Sequence, residues 1–292
     1  MQKVTKAIIP VAGMGTRFLP ATKAQPKEML AVIDKPVIQY LVEEAVASGI
    51  TDIIFVTGRN KRAIEDHFDA SPELEKLLEE SGKTKILEEV RSISNLARFA
   101  FVRQASPLGD GDAILCAEHL IGKDEAVAIM YGDDIFVGPE TRFQQIGKVF
   151  EETGEVVAAL EQVPREQVTR YGVVDATLKS SSLYDVKGIV EKPKLEDAPS
   201  DLILMGTYII NNDVLKELRT LKETTTKGEV RLANALAAYI AKRPVFGVKV
   251  DGKRYDCGDK LGYLKTTIDF ALVHPEVKEG FKEYLREVAK TL

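Results

Sequence analysis

The chain has 292 residues, 45% of them hydrophobic, and a net charge of -5. That is enough apolar content for a core without staples, in one large domain or two, and the acidic balance argues against general nucleic-acid or anionic-membrane binding. No run approaches the roughly 18 apolar residues of a membrane span, and Cys116 and Cys257 alone fit a reducing compartment with free thiols, so a soluble, unprocessed, cytoplasmic protein is expected.

Apolar β-branched runs alternate with amphipathic stretches along the first half. The pattern predicts strand 7–12, helix 36–48, strand 52–57, helices near 60–68 and 72–81, strand 99–103, helix 112–121, strand 126–131, helix 141–152 and strand 155–161. Such alternation predicts an α/β fold, a Rossmann-like, mostly parallel twisted sheet with helices on both faces. Helix 36–48 is placed to start with Asp34 as cap and Pro36 in its first turn, and to end at Gly49. From about 164 the rhythm changes. Residues 171–175 and 183–190 flank the polar turn 179–182 and read as a small antiparallel hairpin subdomain that covers the ligand cleft. Strand 202–210, helix 230–241, strand 244–250 and helices 262–273 and 276–290 complete the chain, the last two with apolar stripes that suit either core or a subunit contact.

The segment from Gly13 to Lys27 follows the first strand and carries Gly13, Gly15, Arg17, Lys23 and Lys27, with Pro20 and Pro26 stiffening it. Glycines let backbone approach a ligand closely, the cations add local positive charge, and the C-terminal end of a strand is where open α/β sheets bind ligands. A polyphosphate is the simplest occupant. It is not a P-loop, because Gly15 is followed by Thr16 and Arg17 where that motif needs Lys and a hydroxyl. Nor is it a dinucleotide fingerprint: position 18 is Phe, and strand 52–57 ends in Gly58 and Arg59 with no acid.

Asp133 and Asp134 follow Gly132 at the end of a strand, where a carboxylate can hold Mg²⁺ together with substrate phosphates; alone, the same three residues read equally as a turn. Asp256 and Asp259 stand in a stretch that alone reads as a loop. Glu191 and Lys192, before Pro193, can hold a polyol with one group and a phosphate with the other, although solvated ion pairs of this kind are common. Gln104 opens a Gly-rich loop before helix 112–121, and its amide offers a donor and an acceptor to a pyrimidine edge, although by itself the segment reads only as a helix-capping loop. His67, His119 and His274 are scattered without metal-ligand spacing, so histidine chemistry is not expected.

Taken together these motifs resemble the sugar nucleotidyltransferases, and over residues 5–265 the chain resembles the bacterial UTP–glucose-1-phosphate uridylyltransferase branch. The resemblance rests on Gly13 to Met29, Val32 to Tyr40, Val56 to Lys61, Val102 to Gln104, Gly132 to Asp134, Tyr171 to Val173, Val190 to Pro193 and Gly252 to Asp259. It implies one nucleotidyltransferase domain over 1–292, with a nucleotide half at 1–160, a sugar half at 161–258 and C-terminal helices at 259–292. Nucleotide contacts would come from Ala12, Gly13, Gly15, Thr16, Glu28, Gln104 and Gly109, and sugar contacts from Gly172, Glu191 and Gly206. Arg17 and Lys27 would hold the departing pyrophosphate, Lys192 would bridge the sugar phosphate and the α-phosphate, and Asp133 with Asp256 would coordinate Mg²⁺. The implied substrates are UTP and glucose 1-phosphate, the implied assembly a homodimer or homotetramer.

Three stretches depart from the branch pattern. Its Leu-Gly-Leu-Gly-His is Leu108 to Asp112 here, placing acids at Asp110 and Asp112 that either tune base or ribose recognition or cap helix 112–121. Its Gly-Arg-Tyr is Gly206, Thr207, Tyr208, which predicts a cation lost from the sugar side, and a Gln-Leu-Thr-Asp stretch becomes Arg231 to Asn234. Two alternatives stay open on these grounds: the same chemistry with dTTP or another hexose 1-phosphate, and a non-catalytic nucleotide-sugar sensor.

Overall fold

A computed structural model describes residues 3–291. In chain order the first half comprises β1 (Lys6–Pro10), β2 (Ala31–Val32), β3 (Lys35–Pro36), α1 (Val37–Ala47), β4 (Asp52–Thr57), α2 (Arg62–Phe68), α3 (Pro72–Glu80), α4 (Thr84–Ser94), β5 (Arg98–Arg103), α5 (Asp110–Cys116), β6 (Val127–Met130), β7 (Asp134–Val137) and α6 (Arg142–Thr153). Then follow β8 (Val156–Gln162), β9 (Gly172–Ser180), β10 (Leu183–Glu191), β11 (Leu202–Ile210), α7 (Asn212–Thr224), α8 (Leu232–Ile240), β12 (Val245–Lys249), β13 (Lys253–Asp256), α9 (Lys260–Ala271) and α10 (Lys278–Ala289).

Nine strands form one sheet in the order β5-β4-β1-β6-β11-β8-β12-β10-β9. It is mixed, which corrects the expectation of a mostly parallel sheet. The run β5-β4-β1-β6 is parallel, as is β8-β12, while β11 runs antiparallel to β6 and β8, and β10 runs antiparallel to β12 and β9. Between β8 and β11 the chain runs through the hairpin β9–β10 with no α-helix to carry it across a face of the sheet, and β11 returns antiparallel to β8. The hairpin β9–β10 likewise continues the main sheet, with β9 reaching back to pair Val173 with Ile203 of β11, instead of standing apart as a subdomain.

Helices cover both faces, as the alternation predicts. One core gathers Ile9, Ile38, Leu41, Phe55 and Ile146 under α1, α2 and α6, and the other gathers Ile8, Ile114, Leu215 and Leu236 under α5, α7 and α8. Helices α4 and α7 and strands β7 and β13 have no counterpart in the sequence reading. Helix α7 nonetheless carries legible signals, with Val214, Leu215 and Leu218 buried at helical spacing and the Asn211 side chain accepting from the backbone N–H groups of Asp213 and Val214. Asp34 does not cap α1: Pro36 occupies that position, and Asp34 meets the His274 ring at 3.1 Å.

A buried ion pair locks α6 onto α1. The fully buried Arg142 guanidinium donates to both carboxylate oxygens of Glu44, at 3.0 and 2.7 Å, and to the Asp134 carbonyl at 3.0 Å. Removing one member strands the other's charge in the core, which costs about 3–5 kcal/mol. Glu44→Gln is therefore expected to lower the unfolding free energy by an amount of that order, read as a lower urea midpoint at an unchanged m-value.

Candidate active site

Strand β1 lies between β4 and β6, so the chain order reverses direction across the β1–β6 boundary and opens a crevice at their C-terminal ends. Two loops emerge there, the segment after β1 and Gly132-Asp133 after β6. Gly15 sits at φ 64, where its bare Cα lets the loop fold onto Thr22 and Lys27, and the Thr22 hydroxyl donates to the Gly15 carbonyl at 2.7 Å. Phe18 plugs the loop into the interior. Glu28 is buried against Lys61 at 2.7 Å, tying the end of the loop to the start of α2. Burial pushes the Glu28 carboxyl up and the Lys61 ammonium down, against their mutual attraction.

Asp133 and Asp256 are brought together by a ladder of its own. Strands β7 and β13 pair antiparallel with Asp134 opposite Asp256, and the Cys257 N–H donates to the Asp133 carbonyl at 2.9 Å. Gly258 then sits between the two carboxylates: a Cβ there would stand 2.9 Å from Asp133 Oδ2 and 2.9 Å from Asp256 Oδ1. Among the described residues no group of three or more His, Cys, Asp or Glu is arranged to hold an ion. Two converging carboxylates fit a hard cation that completes its shell with water and substrate phosphates. Cations surround them. Lys27 Nζ donates to Asp133 Oδ2 at 2.6 Å, the Arg17 guanidinium donates to the Gly258 carbonyl at 3.2 Å, and the Tyr171 hydroxyl donates to Asp256 at 2.8 Å. Burial disfavours charge on Asp133, but Lys27, with Arg17 and Arg254, holds its carboxyl below the usual value. Burial, despite Arg254 and with Asp133 and Asp256 close by, pushes Asp134 up to about 7.

Two cavities meet at Asp133. One, of about 460 Å³, is lined by Ala12, Gly13, Lys27, Glu28, Gln104 and Gly109 among others, and the second, of about 300 Å³, by Arg17, Gly172, Glu191, Lys192, Gly206 and Asp256 among others. Asp110, Tyr131, Asp133 and Glu229 line both. The residues expected to bind nucleotide and those expected to bind sugar thus fall into separate but adjoining spaces, except that Gly15 and Thr16 line neither and act by shaping the loop.

On the second cavity's wall, Gly172 pairs with Glu191 across the hairpin, and a Cβ at Gly172 would lie 3.1 Å from Glu191 Oε2. Glu191 Oε1 faces Arg231 at 3.1 Å and Lys192 at 3.4 Å. Lys192 adopts φ 48, a left-handed conformation that a non-glycine residue takes only when its surroundings impose it, and its N–H donates to the Tyr171 carbonyl at 3.0 Å. Gly206, at φ 69, sits in the irregular part of β11, where a Cβ would strike the Tyr131 ring at 2.8 Å.

The cation expected to be missing at Thr207 is not missing from this wall. Thr207 is fully buried and does not line the cavity, while Arg231 and Arg170 do. Arg254 and Arg231 lie inside stretches that the sequence singles out but carry no role there, and Arg170 lies outside every motif; the fold brings all three to this wall. Arg254 is nearly buried and paired with Asp134 at 3.3 Å, with its guanidinium 4.8 Å from the centre of the Tyr171 ring. Asp112 is no helix cap: α5 starts at Asp110 with Gly109 before it, and Asp112 is buried.

Comparison with known proteins agrees with this geometry. A family model described as nucleotidyl transferase matches residues 6–270. The chain is 47% identical over 289 residues to the UTP–glucose-1-phosphate uridylyltransferase YngB of Bacillus subtilis (strain 168), covering 99% of this chain and 97% of that protein. Its fold superimposes on a UTP-bound UGPase from Acinetobacter baumannii with a TM-score of 0.89 at 37% identity, over 97% of this chain and 99% of the other. It also superimposes on a UDP-glucose pyrophosphorylase complexed with UDP-glucose, with a TM-score of 0.82 at 37% identity, over 91% of this chain and 98% of that one. Match to the family model over most of the chain and near-full-length identity to such a relative make this protein a member of the nucleotidyl transferase family.

Proposed function

We propose that the chain transfers a uridylyl group from UTP to glucose 1-phosphate, giving UDP-glucose and pyrophosphate. The observation that carries the reading is the meeting of a base-side and a sugar-side cavity at Asp133, with Lys27 on one side of it and Arg17 on the other. Relatives named for that reaction, and neighbours bound to UTP or UDP-glucose, support it.

An oxygen of glucose 1-phosphate attacks the α-phosphorus of UTP, a P–O bond forms, and the bond to the departing pyrophosphate breaks. Both partners are anions, so the task is positioning and charge compensation, and the site holds cations and backbone groups without a histidine. Lys27 and Arg17 bind the β- and γ-phosphates, and Lys192 aligns the sugar phosphate with the α-phosphate. Glu191 and the bare backbone at Gly172 and Gly206 receive the sugar. Gln104, Gly109, Ala12 and Gly13 receive the base and ribose. Asp133 and Asp256 would hold Mg²⁺, whose charge offsets that of the phosphates as they meet.

Purified protein with UTP, glucose 1-phosphate and Mg²⁺ is expected to release pyrophosphate; a panel of dTTP, CTP and other hexose 1-phosphates compared by kcat/KM decides the substrates, and no release with any of them overturns the reading. Lys192→Met should lower kcat by about 10²–10³, as for other preorganised electrostatic groups, while leaving the melting temperature near wild type because the side chain is half-exposed. Gly258→Ala puts a methyl group into the space between the carboxylates, so Mn²⁺ or Mg²⁺ affinity by calorimetry should fall at least about tenfold with the fold intact by circular dichroism.

A further inference from the structure

Gln104 is buried at the mouth of the base-side cavity, and its amide nitrogen donates twice: to the Gly109 carbonyl at 2.9 Å and to Asp112 Oδ2 at 2.7 Å. A carbonyl and an ionised carboxylate are acceptors only, so Nε2 must face them and the amide cannot be turned over. Oε1, by contrast, has no hydrogen-bond partner among the described residues and is not sealed off from solvent, so it is left to the cavity that Gln104 lines. Asp112 is 3% exposed, and the Lys222 ammonium stands 2.7 Å from its other oxygen, an ion-pair contact without hydrogen-bond alignment.

We propose that Asp112 is a positioning residue that sets base specificity: by holding the amide nitrogen of Gln104 it presents a lone acceptor to the base, and so selects a pyrimidine with an N–H at ring position 3 over one with a bare ring nitrogen. This rests on the uridylyl-transfer reading and deepens it. Uracil and thymine both offer that N–H. Cytosine offers a lone pair instead, which would meet the Gln104 carbonyl oxygen acceptor to acceptor inside a desolvated pocket. The selection against CTP therefore originates in a residue that need not touch the nucleotide.

The test compares kcat/KM for UTP and CTP in the wild type, Asp112→Asn and Asp112→Asn with Lys222→Met. In the single variant Lys222 attracts the new amide's oxygen and its NH₂ group faces Gln104, so the Gln104 amide, held by the Gly109 carbonyl alone against a facing donor, no longer keeps one orientation. The UTP:CTP ratio should then fall about tenfold or more, the worth of one misplaced buried hydrogen bond, chiefly through KM. With Lys222 replaced, the new amide is free to return its oxygen to Gln104, and most of the ratio should be recovered. An unchanged ratio in Asp112→Asn overturns the proposal, as does an equal loss for both nucleotides that the second substitution does not repair. Asp112→Ala serves if the Asp112→Asn variant does not fold, with a lowered ratio expected and an unchanged one contrary. Equilibrium binding of UTP and CTP by calorimetry separates the two readings: a wild type that prefers UTP in binding but turns nothing over refutes the activity and leaves this test standing.

Discussion

Everything chemical in this molecule depends on the short ladder between β7 and β13. It brings Asp133, at the end of a central strand, against Asp256, which arrives from the far end of the chain, and it leaves a glycine between them. Two carboxylates this close repel, and they stay together because Lys27, Arg17, Arg170 and Arg254 surround them. The same balance makes the site receptive to anions. Phosphates arriving with a divalent ion bring charge of both signs into a place where cations and carboxylates already face each other.

The arrangement also explains why so much of the site is held rigidly. Glu28 and Lys61 are buried as a pair beneath the cationic loop, and Arg254 is clamped by Asp134 and Glu161 behind Asp256. Lys192, directly after β10, is held in a left-handed conformation. A reaction driven by positioning and electrostatics gains from such preorganisation, since the charges need not reorient while the reaction proceeds. The Asp112–Gln104 contact extends the principle to base choice.

Much of this was legible residue by residue. Strand 52–57 and strand 202–210 match the structure at both ends, and the loop Gly13 to Lys27 stands out from residue type and flanking strand, whereas Asp133, Glu191, Lys192 and Gln104 read equally well as a turn, a solvated ion pair and a capping loop until the family resemblance assigns them roles. The misreadings share a cause. Strands β7 and β13 are four residues each, too short to show a period, and they exist because they pair with each other. Thr207 was read as a lost cation on the sugar side, yet which way a strand residue faces in an irregular stretch is set by the bulge, and there it is buried. The alternation that predicts a parallel sheet holds in the first half and breaks between β8 and β11, where a hairpin stands in place of a helix.

The chain by itself determined the chemistry available: cations and glycines after the first strand, a carboxylate after the fourth core strand of the parallel run, a Glu-Lys pair before a proline, and no histidine arrangement. Those are local properties, carried by residue type and by the ends of strongly apolar strands. Only the tertiary structure decided which carboxylates converge, which arginines join them and which way an amide points. Such decisions depend on contacts between residues more than a hundred positions apart, as between Asp133 and Asp256, or on a buried acceptor such as Asp112, and no local pattern encodes them.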